Sequence, residues 1–167
     1  MSDVREFRPE LMPRWGEFNA WALALLLGVA LAVGTALWPD FPFFFWIFEG
    51  LGVFIAAAIS LGNWVDRRTV LRLSADGVAF ENGLRSVRLS WSEVQSVAVA
   101  ETPAGKRIQV VGQQSHFLFK TRSVMSMFGQ SVSSGFAAGQ EILDTILRQC
   151  GMKLTKEAEG VYYYARP

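Results

Sequence analysis

Polar and apolar residues are distributed in two regimes along this chain. From Phe18 to Trp38, and again from Phe43 to about Leu61, the residues are almost continuously apolar; only Pro39, Asp40, Phe41 and Pro42 separate the two stretches. A bilayer core of ~30 Å is crossed by a helix of ~20 apolar residues, so each stretch is long enough to span one. Neither shows the polar face that a helix on the surface of a soluble domain would carry. The first is too long for the core of a secretory signal, and the second follows it at once. The pattern predicts a transmembrane helical hairpin over residues 18–62, its two helices returning side by side because the linker is so short.

After Asn63 the pattern changes to short alternating runs. Thr69 to Leu73 is followed by Ser74-Ala75-Asp76-Gly77, and Val78 to Glu81 by Asn82-Gly83, both hairpin signals. Further strands are predicted at Ser86 to Ser90, about Gln95 to Glu101, Lys106 to Val111 and Ser115 to Lys120, with a turn at Trp91-Ser92-Glu93-Val94. Gly139, Ile142, Leu143, Ile146, Leu147 and Cys150 then recur at helical spacing, and Gly151 stops that helix. The chain reads as an α+β membrane protein: a cytoplasmic tail over residues 1–17, the hairpin, and a small antiparallel β-barrel closed by a C-terminal helix over residues 63–151. In the last segment, 152–167, Val161 to Tyr164 is strand-prone and suited to pairing with an open sheet edge; Val4 to Phe7 is a second source of an added strand.

Charge orients this arrangement. Arg5, Arg8 and Arg14 precede the first span, the loop between the spans has no Lys or Arg, and Arg67, Arg68 and Arg72 follow the second. Basic flanks stay in the cytoplasm, which places both termini there. Trp15, Trp21, Trp38, Trp46 and Trp64 lie mostly near the expected membrane boundaries. The chain carries 16 Lys and Arg against 15 Asp and Glu, with a mild basic excess after Asn63. That excess suits anionic headgroups and is too dispersed for a nucleic-acid face. Cys150 is the single cysteine; it excludes an internal disulfide and reads as a small apolar residue on a helix face.

Within the spans, Ala20, Ala24, Gly28, Ala32 and Ala36 repeat every four residues, as do Gly52, Ala56 and Ser60. Small residues at this spacing let another backbone approach, either the other span or a partner's helix. Glu49 is the one ionisable residue inside a span, roughly 9 Å from the loop along the helix, where a carboxylate is costly. Three readings are open: a hydrogen bond within the hairpin, a polar or basic group on a partner subunit, or snorkelling to the outer interface.

The six strands, the Ser-Ala-Asp-Gly-Val turn at 74–78, the Trp-Ser-Glu-Val segment at 91–94 and the closing helix resemble a bacterial pleckstrin-homology-like domain, over about Arg68 to Gly151. Two spans followed by such a domain form a recurrent bacterial architecture, found also among assembly factors of large membrane complexes such as photosystem assembly proteins. The resemblance implies a protein of the bacterial cytoplasmic membrane that works as an interaction module. The phosphoinositide site of the family is not implied, because the first hairpin turn carries Asp76 and no Lys or Arg.

No catalytic pattern emerges. His116 lies on an alternating strand without nearby His or Cys to make metal-ligand spacing, no glycine-rich phosphate loop is present, and Ser90 and Ser92 have no neighbouring base. No cofactor is expected. Two features suit binding. One is the basic set Arg67, Arg68, Arg85, Arg88, Lys106 and Arg107, with Lys120 and Arg122, for headgroup or partner contact. The other is the Ser-rich segment 121–135, where Val124, Met125, Met127, Phe128 and Val132 approximate a weak amphipathic turn or two and offer an adaptable apolar surface. The expected function is a cytoplasm-facing anchor that binds or helps assemble a membrane complex, its partners being lipid and an integral membrane protein or a second copy. A sensor of anionic headgroups and a transporter or enzyme accessory using Glu49 are the alternatives.

Overall fold

The computed structural model describes residues 4–11, 13–38, 40–103, 105–127 and 130–167, and of these the side chains at 125–127, 130 and 132 are outside the description. Pro39 of the expected loop, Ala104 and Phe128 therefore lie outside the described residues. The chain forms two compact units, one over Pro13–Trp64 and the other combining the N-terminal segment with Val65–Pro167.

The first unit holds α1 (Trp15–Leu37) and most of α2 (Phe45–Arg68), two helices long and apolar enough to cross a membrane. Large apolar side chains stand exposed on both, Leu25 and Phe54 at 70% each. The second helix continues seven residues beyond the expected end at Leu61. Hydropathy falls at Asn63 and Asp66, but helical hydrogen bonding does not depend on hydropathy, and Arg67 and Arg68 form the last turn, where the helix dipole favours cations. In the loop, the Phe41 ring covers Gly34, where a Cβ would stand 2.7 Å from the ring.

The second unit contains β1 (Arg5–Phe7), β2 (Val70–Leu73), β3 (Gly77–Glu81), β4 (Ser86–Ser90), β5 (Val94–Thr102), β6 (Gly105–Gly112), β7 (His116–Lys120), β8 (Ser123–Met127), β9 (Gln130–Ser134), α3 (Gly139–Cys150), β10 (Lys153–Ala158) and β11 (Val161–Ala165). They make a four-stranded sheet in the order β1-β2-β3-β4, a five-stranded sheet in the order β10-β11-β5-β6-β7, and the separate hairpin β8-β9. All the strand pairs are antiparallel.

This is not the closed barrel that the strand spacing suggests. A meander would pair β4 with β5, but β5 has β6 on one edge and β11 on the other, leaving no edge free. The chain instead turns out of the first sheet at Trp91-Ser92-Glu93, where the Glu93 carboxylate accepts from the Ser90 amide and hydroxyl, both at 2.8 Å. Segment 121–135 also departs from expectation. It forms β8 and β9, because alternating Ser and apolar residues satisfy the strand period as well as a short helical one.

One core joins both sheets and α3. Leu71, Val78, Phe80 and Leu89 come from the first sheet, Val97, Ile108, Val110 and Phe117 from the second, and Ile142 and Ile146 from the helix. Phe80 stacks on Phe117 across the sheets at 5.2 Å between centroids. Gly151 caps α3 with a left-handed φ of 63°, as its position predicts.

The N-terminal segment is stitched into this unit. The register of β1 on β2 pairs Arg5 with Leu73, Glu6 with Arg72 and Phe7 with Leu71. Arg72 Nε donates to Glu6 at 3.0 Å, Arg5 pairs with Glu141 on α3, and the Glu10 amide donates to the Gly135 carbonyl at 2.8 Å.

Phe117→Ala is expected to cost about 3–5 kcal/mol, read as a lower denaturant midpoint in near-ultraviolet circular dichroism. The Arg72 and then the Arg8 hydrogen bonds hold the Glu6 carboxyl below its ordinary 4.5. A carboxylate with a depressed pKa stabilises above its unfolded value and loses that contribution as pH falls through the folded one. Hydrogen-exchange protection of β1 should therefore fall selectively below about pH 4, while β5 and β6 stay protected.

Candidate functional site

Within the helical unit, the face of α1 turned to α2 runs through Ala20, Ala24, Gly28, Leu31 and Gly34; Ala24, Leu31 and Gly34 are buried, and Ala32 and Ala36 are exposed. A strict four-residue row advances by about 40° per step around a helix of 3.6 residues per turn, so it winds off the contact face, and steps of three bring the packed row back. On α2, Ala56 is fully buried with Gly52 and Ser60 partly buried on the same side. Two polar links that the sequence reading did not anticipate join the helices. The Trp21 indole N–H donates to the Ser60 hydroxyl at 2.8 Å, and the Asn63 amide donates to Glu17 at 2.9 Å. The available signal was the placement of these four polar-tipped residues near the same ends of the two spans.

Glu49 does not snorkel toward the loop. Its carboxyl rests against Gly28, where an added Cβ would lie 3.0 Å from Oε1. Gly28 stands nine residues before Leu37, so the carboxyl sits ~14 Å from that end of α1, near the middle of the helix. Its Oε2 is shielded from solvent and accepts no hydrogen bond from the described residues. Glu49 also lines a groove of about 450 Å³, together with Phe18, Trp21, Ala24, Leu25 and Val53. Both Gly28 and Glu49 stand out in the sequence; what it does not reveal is that one is the seat of the other.

In the sheet unit the basic residues are spread over several elements. Arg67 and Arg68 end α2. Arg85 lies in the β3–β4 turn, where the Asn82 side chain accepts from its amide at 2.8 Å, and Arg88 lies on β4 opposite Ala79. Across the same sheet Arg72 is engaged by Glu6 and by Glu81 at 3.6 Å. Lys106 and Arg107 belong to the other sheet, Lys106 pairing with Glu101 at 3.7 Å and Arg107 standing opposite Lys120. Arg122 pairs with Glu10 at 3.2 Å. Met125 and Met127 lie on β8, and Val124 is 61% exposed.

His116 is exposed on β7. The Cys150 thiol is buried against the Trp91 carbonyl at 3.7 Å; burial raises its pKa, and the nearby Arg166 opposes the rise. Among the described residues no group of three or more His, Cys, Asp or Glu side chains is placed to hold a metal. Comparison with known protein families, curated proteins and solved structures finds no match.

Gly28→Leu should displace the Glu49 carboxyl and destabilise the helix pair by about 1–3 kcal/mol, read as a lower unfolding midpoint in detergent. Gly50→Leu, at a site with nothing within 4 Å of the added Cβ, should leave the midpoint unchanged.

Proposed function

We propose that this protein is a membrane-anchored interaction module of the cytoplasmic membrane. In this reading α1 and α2 cross the bilayer as a hairpin, both termini are cytoplasmic, and the sheet unit, read as pleckstrin-homology-like, binds or helps assemble another membrane protein complex. The observation that carries the reading is the stitching of the N-terminal segment. Only four residues separate Glu10, bound to Gly135, from Trp15 at the start of α1. The five steps from Glu10 to Trp15 reach at most ~18 Å when fully extended, less than the ~30 Å of a bilayer core. This supports a reading with the start of α1 and the chain leaving α2 on one side of the membrane, as two crossings require. The basic flanks favour the cytoplasm as that side.

Two antiparallel sheets sharing a core with one helix support the pleckstrin-homology-like reading of the second unit. An interaction role is preferred to headgroup sensing because Arg88 and the turn residue Arg85 go with one sheet, and Lys106 and Arg107 with the other. Tethering such a module at fixed height raises its effective concentration for partners in the same membrane.

The full chain should stay in the membrane pellet after alkaline carbonate extraction, reporters fused to either terminus should be active only in the cytoplasm, and native electrophoresis in mild detergent should show it in an assembly with another membrane protein. Extraction into the soluble fraction, termini on opposite sides, or migration solely as the free chain would each defeat this reading.

A further inference from the structure

We propose that the groove between α1 and α2 binds a hydrophobic organic cation, with Glu49 as its counter-ion. From Trp15 to Trp64 the sequence contains no Lys, Arg or His, so no basic residue within that stretch can be set against this carboxyl. Gly28 draws the carboxyl inward by giving it the space of a missing side chain, and Oε2 is left shielded without a donor. An unanswered acceptor in an apolar setting is costly, and a cation in the groove that Glu49 lines offsets that cost through space, without contact to Oε2.

The lining selects the complement. About 450 Å³ falls within the range of organic-ligand sites, which are mostly apolar with a few placed polar groups. One carboxyl among Phe18, Trp21, Leu25 and Val53 is far short of the six or more oxygens a calcium ion takes, or the octahedral shell of magnesium. A cation whose charge is spread over an apolar body leaves water at much lower cost than a compact ion, and its body matches the groove. Two aromatic rings add attraction for such a charge, and the Trp21 indole is held in place by its hydrogen bond to Ser60. Charge complementarity thus favours an organic cation over an acyl chain, which would leave the carboxyl unanswered. A second copy of the chain brings no cation within its own spans.

The inference rests on the helices lying in lipid and not on the proposed partner complex. The probe is tetraphenylphosphonium, titrated onto the purified full chain in dodecyl maltoside by equilibrium dialysis. A single saturable site is expected. Glu49→Gln should weaken it about tenfold or more, because removing one member of a desolvated charge pair leaves the other uncompensated. Val53→Trp, which keeps the carboxyl and fills the groove, should abolish it, and Asp40→Asn in the loop should bind as the parent does. Circular dichroism of each variant confirms that the helices are retained. Absence of saturable binding, including through occupation of the groove by lipid or a partner helix, overturns the proposal, and so does binding that survives both Glu49→Gln and Val53→Trp. If the chain stays in the carbonate pellet while binding fails, the inference alone falls; if the chain is extracted, the membrane reading falls first.

Discussion

The arrangement depends on a short antiparallel contact between segments more than sixty residues apart. When Phe7 pairs with Leu71, the chain closes a loop that contains both apolar helices. Loop-closure entropy grows only logarithmically with length, so enclosing an entire hairpin costs little more than enclosing a medium-sized loop. The cost is met locally, by ladder hydrogen bonds and by the charge-assisted contacts of Glu6 with Arg72 and Arg5 with Glu141. Three residues of strand and a few charged side chains thereby convert what would be a loose leader into part of the sheet unit. The helices gain two points of attachment instead of one.

The same principle of distant segments claiming an edge accounts for the two sheets. Strands β2 to β7 are legible from turn chemistry and alternation, because each is punctuated by residues such as Asp76-Gly77 and Asn82-Gly83 whose effect is local; Gly83 adopts the positive φ of 77° that its turn requires. The split is not local. It follows from β11 arriving from the far end of the sequence to take the edge of β5 that a barrel would give to β4. No window around residues 90–95 contains that information. Segment 121–135 was hard to read for another reason: short Ser-rich runs with scattered Met and Val fit either period.

The candidate site was half legible. Glu49 is conspicuous because an ionisable residue in an apolar run has few innocent explanations, and Gly28 because small residues mark close approach. Their meeting depends on helix phase. Only after accounting for 3.6 residues per turn does the α1 face resolve into Ala24, Gly28, Leu31 and Gly34, with Ala32 and Ala36 rotated away. The ties made by Trp21 and Asn63 join the two helices nearer their other ends.

Strand β10 forms an outer edge of the five-stranded sheet, and it is mostly exposed along its length. An edge beside Tyr162-Tyr163-Tyr164 would ordinarily invite a neighbouring chain to extend the ladder. Here the strand carries Lys153, Lys156 and Glu157, and its register against β11 slips between Leu154 and Lys156. Charge and irregularity together spoil the template for fibril-like growth. Copies brought close together can therefore meet along this edge without stacking into aggregates.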